Sequence, residues 1–425
     1  MTKYRVFGAT SALLAVTVQA LLASACNDKS GSVLSNESAQ TTSPTEPEGE
    51  GPSTSPGTTP STEDPSTDPD ASTPEGDAGD TTDAAPEPDA ETPSPEPPAP
   101  EPPAPETPTS VIPSGPMPFR GVNLAGGEFG SAIPGKDGVD YKFPNNGEID
   151  YFVGKGMNTF RFGFLWERLQ PTANGEFVDA YIKQIDGLVA HATEKKAFSI
   201  LNPHNFARYY GNTVGSSSVP NSAFADLWRR LATRFKDNPY VMFNLVNEPH
   251  DMSTDVWVSA ANAAIAAIRG TGAKNTIIAP GNAWTGAHSW TQNWYGTANS
   301  VAMLNITDPA NNTLIEVHQY LDSASSGGGA CVSGTIGSER MKAFVAWLRA
   351  NNKKGFLGEF AGINSSTCQS AVTDMMNYMM QNTDVLQGWL WWAAGPGWGE
   401  YSLTIEPKNG QDRPQMSWIS PFLAR

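Results

Sequence analysis

The strongest constraint on the fold is a regular pattern in residues 116–425, where short apolar segments alternate with longer amphipathic ones. Eight of the short segments are rich in β-branched and aromatic residues and predict strands, at 119–124, 158–164, 198–204, 241–248, 276–282, 314–320, 355–360 and 385–392. Helical periodicity between them is clearest at 223–235, 254–269, 338–350 and 368–381. Eight strands separated by helices predict an α/β fold, the closed parallel (β/α)₈ or TIM barrel. A doubly wound open sheet is the alternative, but the chain shows no glycine-rich phosphate loop to support it.

Two of the predicted strands end in a glutamate. Residues 240–251 read Tyr-Val-Met-Phe-Asn-Leu-Val-Asn-Glu-Pro-His-Asp, and Pro249 cannot continue a strand ladder, so Glu248 is predicted at the strand tip. Glu359 ends the run Gly-Phe-Leu-Gly-Glu in the same way. Barrel enzymes build their sites at this rim. Two carboxyl groups about 5–5.5 Å apart predict a retaining glycosidase with one nucleophile and one acid/base. A single rim glutamate could instead be a salt-bridged surface residue.

Further polar and aromatic residues fall at strand ends: Arg161, His204, His318, Tyr320 and Trp392. His318 and Tyr320 are two residues apart on one predicted strand, so their side chains project to the same side. Taken alone, each histidine could be a hydrogen-bonded core residue, and Trp392 could be barrel packing.

Three other function classes fit the pattern less well. A metallohydrolase could use the two histidines and two glutamates as ligands, but there is no His-x-His or His-Glu-x-x-His pattern. A serine hydrolase would need a Gly-x-Ser-x-Gly elbow. A non-catalytic sugar-binding lipoprotein would tolerate loss of one glutamate, and both are present. We therefore expect no metal and no cofactor.

All twelve tryptophans fall in residues 116–425. Three lie in helical patterns and are expected to pack the outside of the barrel: Trp228, Trp257 and Trp347. Four lie in loops after strands, where flat rings can stack on pyranose faces: Trp284, Trp290, Trp294 and Trp398. Such a row suits a long polysaccharide in an open cleft, and hence endo-cleavage of a β-glucan.

The first 115 residues are not expected to belong to this fold. Residues 1–26 combine Lys3 and Arg5 with an apolar run and Ala-Ser-Ala-Cys26, which predicts a signal peptide whose cysteine is acylated as in a bacterial lipoprotein. Simple secretion is the alternative. Residues 27–115 are a Pro, Ser, Thr and acidic tract that cannot bury enough apolar surface to fold, and predict a disordered linker.

The net charge of −17 resides in this linker, which carries 19 acidic residues against one lysine. Residues 116–425 are almost neutral, and no basic patch indicates nucleic acid. We expect an exported monomer, at the outer membrane or cell surface through a lipid on Cys26 or freely secreted, with contact to a membrane only through that lipid.

If Cys26 is acylated, Cys331 and Cys368 remain as a pair in an exported domain, and a disulfide is the economical interpretation. A catalytic cysteine is the weaker alternative, since neither lies at a strand tip beside a histidine.

The motif Leu-Val-Asn-Glu-Pro-His-Asp at 245–251 resembles the signature of glycoside hydrolase family 5, a large cellulase family with a (β/α)₈ fold. The resemblance extends over residues 116–425, through Gly-Val-Asn-Leu-Ala-Gly at 121–126, His-Asn-Phe-Ala-Arg-Tyr-Tyr-Gly at 204–211 and Pro-Gly-Asn-Ala-Trp at 280–284. It continues in His-Gln-Tyr-Leu-Asp at 318–322 and Gly-Trp-Leu-Trp-Trp-Ala-Ala-Gly at 388–395. It is closest to the branch of fungal and bacterial endoglucanases typified by Trichoderma endoglucanase II.

The resemblance implies an endo-β-1,4-glucanase, with β-mannanase, xyloglucanase and mixed-linkage glucanase as alternatives. It implies that Glu248 is the acid/base and Glu359 the nucleophile, with Asn247 bound to the sugar 2-hydroxyl. The other implied substrate-binding residues are Arg161, His204, His318, Tyr320, Trp284 and Trp392. It also supports the disulfide. We expect neighbouring donors to keep the pKa of Glu359 low, and an adjacent anion to favour protonated Glu248.

The chain departs from that branch at two points. The branch usually reads Thr-Glu-Thr-Gly around the nucleophile, whereas this chain has Gly358-Glu359-Phe360-Ala361. The segment before His204 reads Leu-Asn-Pro rather than the commoner Val-Asp-Ile. Both departures leave the two glutamates in place but change their surroundings.

Overall fold

The computed structural model describes residue 115 and residues 117–423. The predicted signal peptide, the acylation site at Cys26 and all but the last residue of the predicted linker lie outside the described residues. In the part of the chain that is described, no helix is both long and apolar enough to span a membrane.

Within residues 117–423, eight parallel strands close into a barrel, which confirms the predicted (β/α)₈ fold. The ten strands of this region, in chain order, are β1 Phe119–Gly127, β2 Thr159–Phe164, β3 Phe198–Pro203, β4 Arg208–Tyr209, β5 Asn212–Thr213, β6 Val241–Asn244, β7 Ile277–Pro280, β8 Thr313–His318, β9 Gly355–Phe360 and β10 Leu386–Ala394. The order around the barrel is β1-β2-β3-β6-β7-β8-β9-β10, while β4 and β5 form a separate antiparallel hairpin.

Helices connect the strands and cover the outside of the barrel. They are α1 Asn146–Gly154, α2 Trp166–Leu169, α3 Asp179–Glu194, α4 Asn221–Phe235, α5 Thr254–Gly270, α6 Asn299–Ala302, α7 Ile336–Ala350, α8 Ser366–Gln381 and α9 Met416–Ile419. Short 3₁₀ turns lie at Ala283–Thr285, Met303–Asn305 and Ser420–Phe422. As expected from their helical spacing, Trp228, Trp257 and Trp347 are buried between helices and barrel.

Several predicted strand boundaries need correction. β1 runs on to Gly127, and β7 and β8 end two residues earlier than predicted, at Pro280 and His318, so that Tyr320 lies after β8.

Two further strand ends also differ. The strand predicted at 241–248 ends as β6 at Asn244, although the amides of Leu245 and Asn247 still donate to the neighbouring strands at 3.0 and 2.9 Å. The chain turns away at Glu248, whose φ is 41°. In contrast, β10 continues past Trp392 to Ala394. The hairpin of β4 and β5 was not predicted, since each strand has only two residues.

The barrel interior is divided into an apolar and a polar layer. The apolar layer is closed by Phe119, Phe198, Ile200, Met242, Ile278, Leu314, Phe356 and Leu390. Side chains two residues further along a strand point to the same side. On β3, β6, β8 and β9 those next residues are Asn202, Asn244, Glu316 and Gly358. The polar layer therefore begins one step toward the carboxyl ends of the strands.

Cys331 and Cys368 form a disulfide, with a Cα–Cα distance of 5.2 Å. This confirms the predicted pair. It joins the loop after β8 to the first turns of α8 and spans 37 positions in the chain.

We predict that the double substitution Cys331→Ser and Cys368→Ser lowers the free energy of unfolding by about 4 kcal/mol, because the chain-entropy model assigns roughly this value to a loop of that length. Urea denaturation of the purified residues 116–425 measures the change. Wild-type protein unfolded in reductant should approach the variant. An unchanged free energy of unfolding would mean that the bridge contributes nothing to stability.

Candidate active site

The polar layer is organised around the guanidinium of Arg161, which is buried in the barrel. Nη1 donates to Oδ1 of Asn123 and to Oε1 of Glu359, both at 2.8 Å. Nε donates to Oδ1 of Asn244 at 2.9 Å, and Nη2 donates to Oδ1 of Asn247 at 2.6 Å. Arg161 thus ties together side chains from β1, β6, β9 and the segment after β6.

Glu359, the last residue but one of β9, is held at both oxygens. Oε1 accepts from Arg161, and Oε2 accepts from the hydroxyl of Tyr320 at 2.7 Å. Burial raises the pKa of this carboxyl above its ordinary value, and the charges of His318 and Arg161 only partly oppose this. The expectation of a low pKa was therefore wrong in sign, since it counted the donors but not the burial of the carboxyl group.

Glu248 approaches Glu359 next to Nδ1 of His318, which both carboxylates face. One oxygen of each carboxylate lies within 4.8 Å of the other and of a ring nitrogen of His318. Glu248 remains partly open to solvent, with 16% of its side chain exposed against 4% for Glu359. A positive φ is uncommon for a residue with a side chain, and strained conformations of this kind recur at active sites. The backbone conformation of Glu248 agrees with a role at the rim but is shared by thirteen other non-glycine residues of the described chain.

His318 lies between the carboxylates. Its Nδ1 is 2.7 Å from Oε1 of Glu248 and 3.5 Å from Oε2 of Glu359, and its Nε2 is 3.4 Å from Oε1 of Glu316. Burial disfavours the charged ring, but the three carboxylates outweigh it and raise the pKa of His318 to about 10. His318 is therefore an imidazolium at neutral pH, with a proton on each nitrogen.

Two neighbouring groups are uncharged. Burial lowers the pKa of His204 well below its ordinary value, with further contributions from Arg161 and His318. Burial also raises the pKa of Tyr320 well above 10, together with the charge of Glu359. Tyr320 therefore stays a hydrogen-bond donor, and His204 stays a neutral ring that can both donate and accept.

Glu248, His318 and Glu359 are spaced closely enough to be considered as a metal cluster. Two observations oppose a divalent cation there. Arg161 already lies 2.8 Å from Glu359 and neutralises its charge. His318 carries a proton on both ring nitrogens, and a histidine ligates a metal only through an unprotonated nitrogen. The donor set therefore fits carboxylate chemistry better than metal chemistry.

Aromatic rings form two groups near the rim, one around Trp392 and one around Trp284. In the first, Trp392 stacks on His204 with centroids 5.6 Å apart, and it meets Trp398 edge-to-face at 5.6 Å. Trp398 in turn stacks on Tyr401 at 4.5 Å. In the second, Trp284 is half-buried and stacks on His250 at 4.6 Å. Its amide donates to the carbonyl of Pro249, so Trp284 is anchored directly to the residue that follows Glu248.

The four loop tryptophans did not all turn out as expected. Trp290 is fully buried and packs edge-to-face against Phe344 and Trp347, so its prediction as a stacking platform was wrong. A loop position could not distinguish a ring that turns inward from one that turns outward. Trp294, in contrast, is 54% exposed, near His288.

Three polar residues of the site were not predicted: Asn123, Asn244 and Glu316. Nδ2 of Asn123 donates to the carbonyls of Gly358 and Trp391, at 2.9 and 3.1 Å. Nδ2 of Asn244 donates to Oε2 of Glu316 at 2.6 Å. The available signal was a polar residue inside an otherwise apolar strand, since a buried polar side chain needs a partner.

The chain is similar to known proteins in sequence and in structure. Residues 117–395 match the family model described as cellulase, glycosyl hydrolase family 5. A probable endo-β-1,4-glucanase B of Aspergillus niger is 44% identical over 292 residues, which are 68% of this chain and 85% of the relative.

Two solved structures are also similar. That of XacCel5A in complex with cellopentaose has a TM-score of 0.71 and 47% identity, over 72% of this chain and 100% of the other. The Cel5A (EG2) structure from Hypocrea jecorina (Trichoderma reesei) has a TM-score of 0.64 and 30% identity, over 72% and 98%.

Proposed function

Because the chain belongs to the cellulase family, glycosyl hydrolase family 5, we propose that it is an endo-β-1,4-glucanase that hydrolyses internal bonds of cellulose and related β-glucans with retention of configuration. The observation that carries the mechanism is that one carboxylate oxygen of Glu248 lies within 4.8 Å of one carboxylate oxygen of Glu359. Inverting enzymes hold their carboxyl groups roughly 6.5–9.5 Å apart to leave room for a water, so the shorter distance favours direct attack by a carboxylate.

In the first step Glu359 is the nucleophile. Its carboxylate oxygen bonds to the anomeric carbon, the glycosidic carbon–oxygen bond breaks, and the electron pair goes to the leaving oxygen, which takes a proton from Glu248. Arg161 and Tyr320 hold Glu359 in place and stabilise its charge before attack.

In the second step water attacks the anomeric carbon and gives its proton to Glu248. The bond to Glu359 then breaks and the carboxylate is restored. Two displacements return the original configuration at the anomeric carbon. Asn247, whose amide oxygen is held by Arg161, is oriented to donate to the sugar 2-hydroxyl.

The aromatic rings support an endo-acting cleft. Trp392 belongs to β10 and Trp284 follows β7, so the two rings lie three strands apart around the barrel. Glu359 is on β9, between those positions, and Glu248 follows β6, the neighbour of β7. A glucan that stacks on both rings would therefore pass over the rim that carries the two glutamates and extend beyond a single sugar.

The disulfide favours an exported domain, because such bonds persist in oxidising compartments. We propose that residues 1–26 are a lipoprotein signal peptide, residues 27–115 a linker and residues 116–425 the catalytic domain, which acts as a monomer. In this arrangement a lipid on Cys26 attaches the enzyme to a membrane.

For the nucleophile, we predict that Glu359→Ala lowers kcat/KM on cellopentaose by at least about 10⁴-fold, since removing the attacking carboxylate removes covalent catalysis. Added azide should restore turnover of an activated aryl cellobioside and give the α-configured cellobiosyl azide, identified by NMR. Glu339→Ala, at an exposed position in the first turn of α7, is the matched control and should keep wild-type rates. Unchanged activity in Glu359→Ala would refute the assignment.

For the substrate, we predict that new reducing ends appear fastest on carboxymethylcellulose and barley glucan, more slowly on xyloglucan, and least on mannan. Viscosity should fall early in the reaction, because internal cleavage shortens a polymer quickly. Strong chelators should leave the rate unchanged. A preference for mannan would move the chain to the β-mannanase alternative.

For the lipid anchor, we predict that Cys26→Ser releases the enzyme from the membrane fraction of a bacterial host that processes lipoproteins, because cysteine is the acylated residue. Labelling with a clickable palmitate analogue measures acylation, and Cys331→Ser with Cys368→Ser serves as the control that retains it. A wild-type chain that is unlabelled and found in the medium would instead favour simple secretion.

A further inference from the structure

The buried glutamate in β8, Glu316, has no part in the two-step mechanism, yet it lies directly behind it. Only 1% of its side chain is exposed. Oε2 accepts from Nδ2 of Asn244 at 2.6 Å, and Oε1 is 3.4 Å from Nε2 of His318. A buried carboxylate is costly unless it is hydrogen-bonded or faces a positive charge. Glu316 meets both conditions, and the charge it faces is the imidazolium of His318.

The space for this carboxylate depends on Gly358, at one of the two points where the chain departs from the branch it resembles. A Cβ added at Gly358 would overlap Oε1 and the carboxyl carbon of Glu316 and would lie 2.9 Å from Nε2 of His318. A threonine at 358 and the observed position of Glu316 therefore exclude each other. Gly358 and Glu316 form a matched pair beneath the two rim glutamates.

We propose that Glu316 is a positioning residue for proton transfer: it holds the Nε2 proton of His318, so that the proton on Nδ1 is the one shared with Glu248. This inference rests on the proposed role of Glu248 as acid/base. The Nδ1 and Oε1 atoms are 2.7 Å apart, a distance at which a proton can be transferred along the hydrogen bond.

The proton balance closes over one catalytic cycle. In the free enzyme His318 carries both ring protons, and the one on Nδ1 is shared with Oε1 of Glu248. During attack by Glu359, Glu248 passes this one shared proton to the leaving oxygen, which leaves His318 neutral with Nε2–H still donating to Glu316. When water attacks, its proton returns through Glu248 to Nδ1. Each group ends as it began.

The charge around His318 comes from several elements. The carboxylates that face it are Glu248 after β6, Glu359 on β9 and Glu316 on β8, and His204 after β3 lies close enough to feel its charge. Arg161 on β2 and Tyr320 after β8 bond to Glu359. Of the three carboxylates, Glu316 alone contacts Nε2 rather than Nδ1. Removing its charge should therefore lower the proton affinity of the His318–Glu248 pair without removing the nucleophile or the acid.

The test compares Glu316→Gln with wild type on two substrates across pH. On cellopentaose, whose leaving group needs a proton, kcat/KM should fall about 10- to 100-fold and its alkaline limb should move to lower pH by about one to two units. On a 2,4-dinitrophenyl cellobioside, whose leaving group needs no proton, kcat/KM should stay within about threefold. In ¹⁵N NMR, the His318 ring should change from imidazolium to neutral imidazole at lower pH than in wild type.

Two further variants separate this role from a merely structural one. Asp308→Asn removes another buried carboxylate. Asp308 lies in the loop before β8 and is paired with Arg269 of α5. It should lower the Tm but leave the alkaline limb where it is. Glu316→Asp keeps the charge on a side chain that is one methylene shorter, and should shift the alkaline limb of the pH profile less than Glu316→Gln. If Glu316→Gln does not fold, the shift of the alkaline limb in Glu316→Asp tests the proposal, and no shift there would overturn it.

An unchanged alkaline limb in Glu316→Gln, or equal losses on both substrates, would overturn the proposal. Glu248→Ala distinguishes that failure from failure of the proposed function. It should lose the alkaline limb altogether and keep much of the kcat/KM on the activated substrate. If Glu248→Ala retains the limb, the acid/base assignment itself is wrong.

Discussion

The buried charge of Arg161 is the constraint on which the active site depends. A guanidinium inside a barrel is unfavourable unless its N–H groups find acceptors and its charge finds an anion. Four side chains satisfy both needs: Asn123, Asn244, Asn247 and Glu359. Because these residues come from β1, from β6 and the segment after it, and from β9, closing the barrel brings the site together. The anion that compensates Arg161 is also the carboxylate proposed to attack the sugar.

The layers of the barrel explain why the chemistry lies at one end. An apolar layer closes the interior, and one step further along the strands the side chains become amides and carboxylates that bond to one another. Above them are the rim residues, which are held in position from below. His318 links the two levels, since one ring nitrogen faces Glu248 at the rim and the other faces Glu316 in the polar layer. A mobile loop could not hold the two glutamates this closely.

Much of the fold was predictable because it follows from periodicity. Strand tips that end in Asn247-Glu248-Pro249 and in Glu359 indicated both the barrel rim and the paired carboxylates. Alternation along the strand predicted at 314–320 grouped His318 with Tyr320, although β8 ends at His318. Other features depend on tertiary contacts. Loop position could not reveal that Trp290 turns inward against Phe344, and the pKa of Glu359 depends on a burial that spacing does not show. Glu316 was missed because its partner Gly358 lies on the neighbouring strand, 42 positions away.

The central claim is that Glu359 forms a covalent bond to the sugar while Glu248 supplies the proton. The most direct measurement uses a 2-deoxy-2-fluoro cellobioside with an activated leaving group. The fluorine slows both displacements, and the leaving group offsets this for the first displacement alone, so the covalent intermediate accumulates. Digestion and tandem mass spectrometry then locate the label. The account predicts one 2-fluorocellobiosyl group per protein, attached to Glu359 within the peptide that contains Gly-Glu-Phe-Ala. A label on Glu248, or none while the enzyme is active, would contradict it.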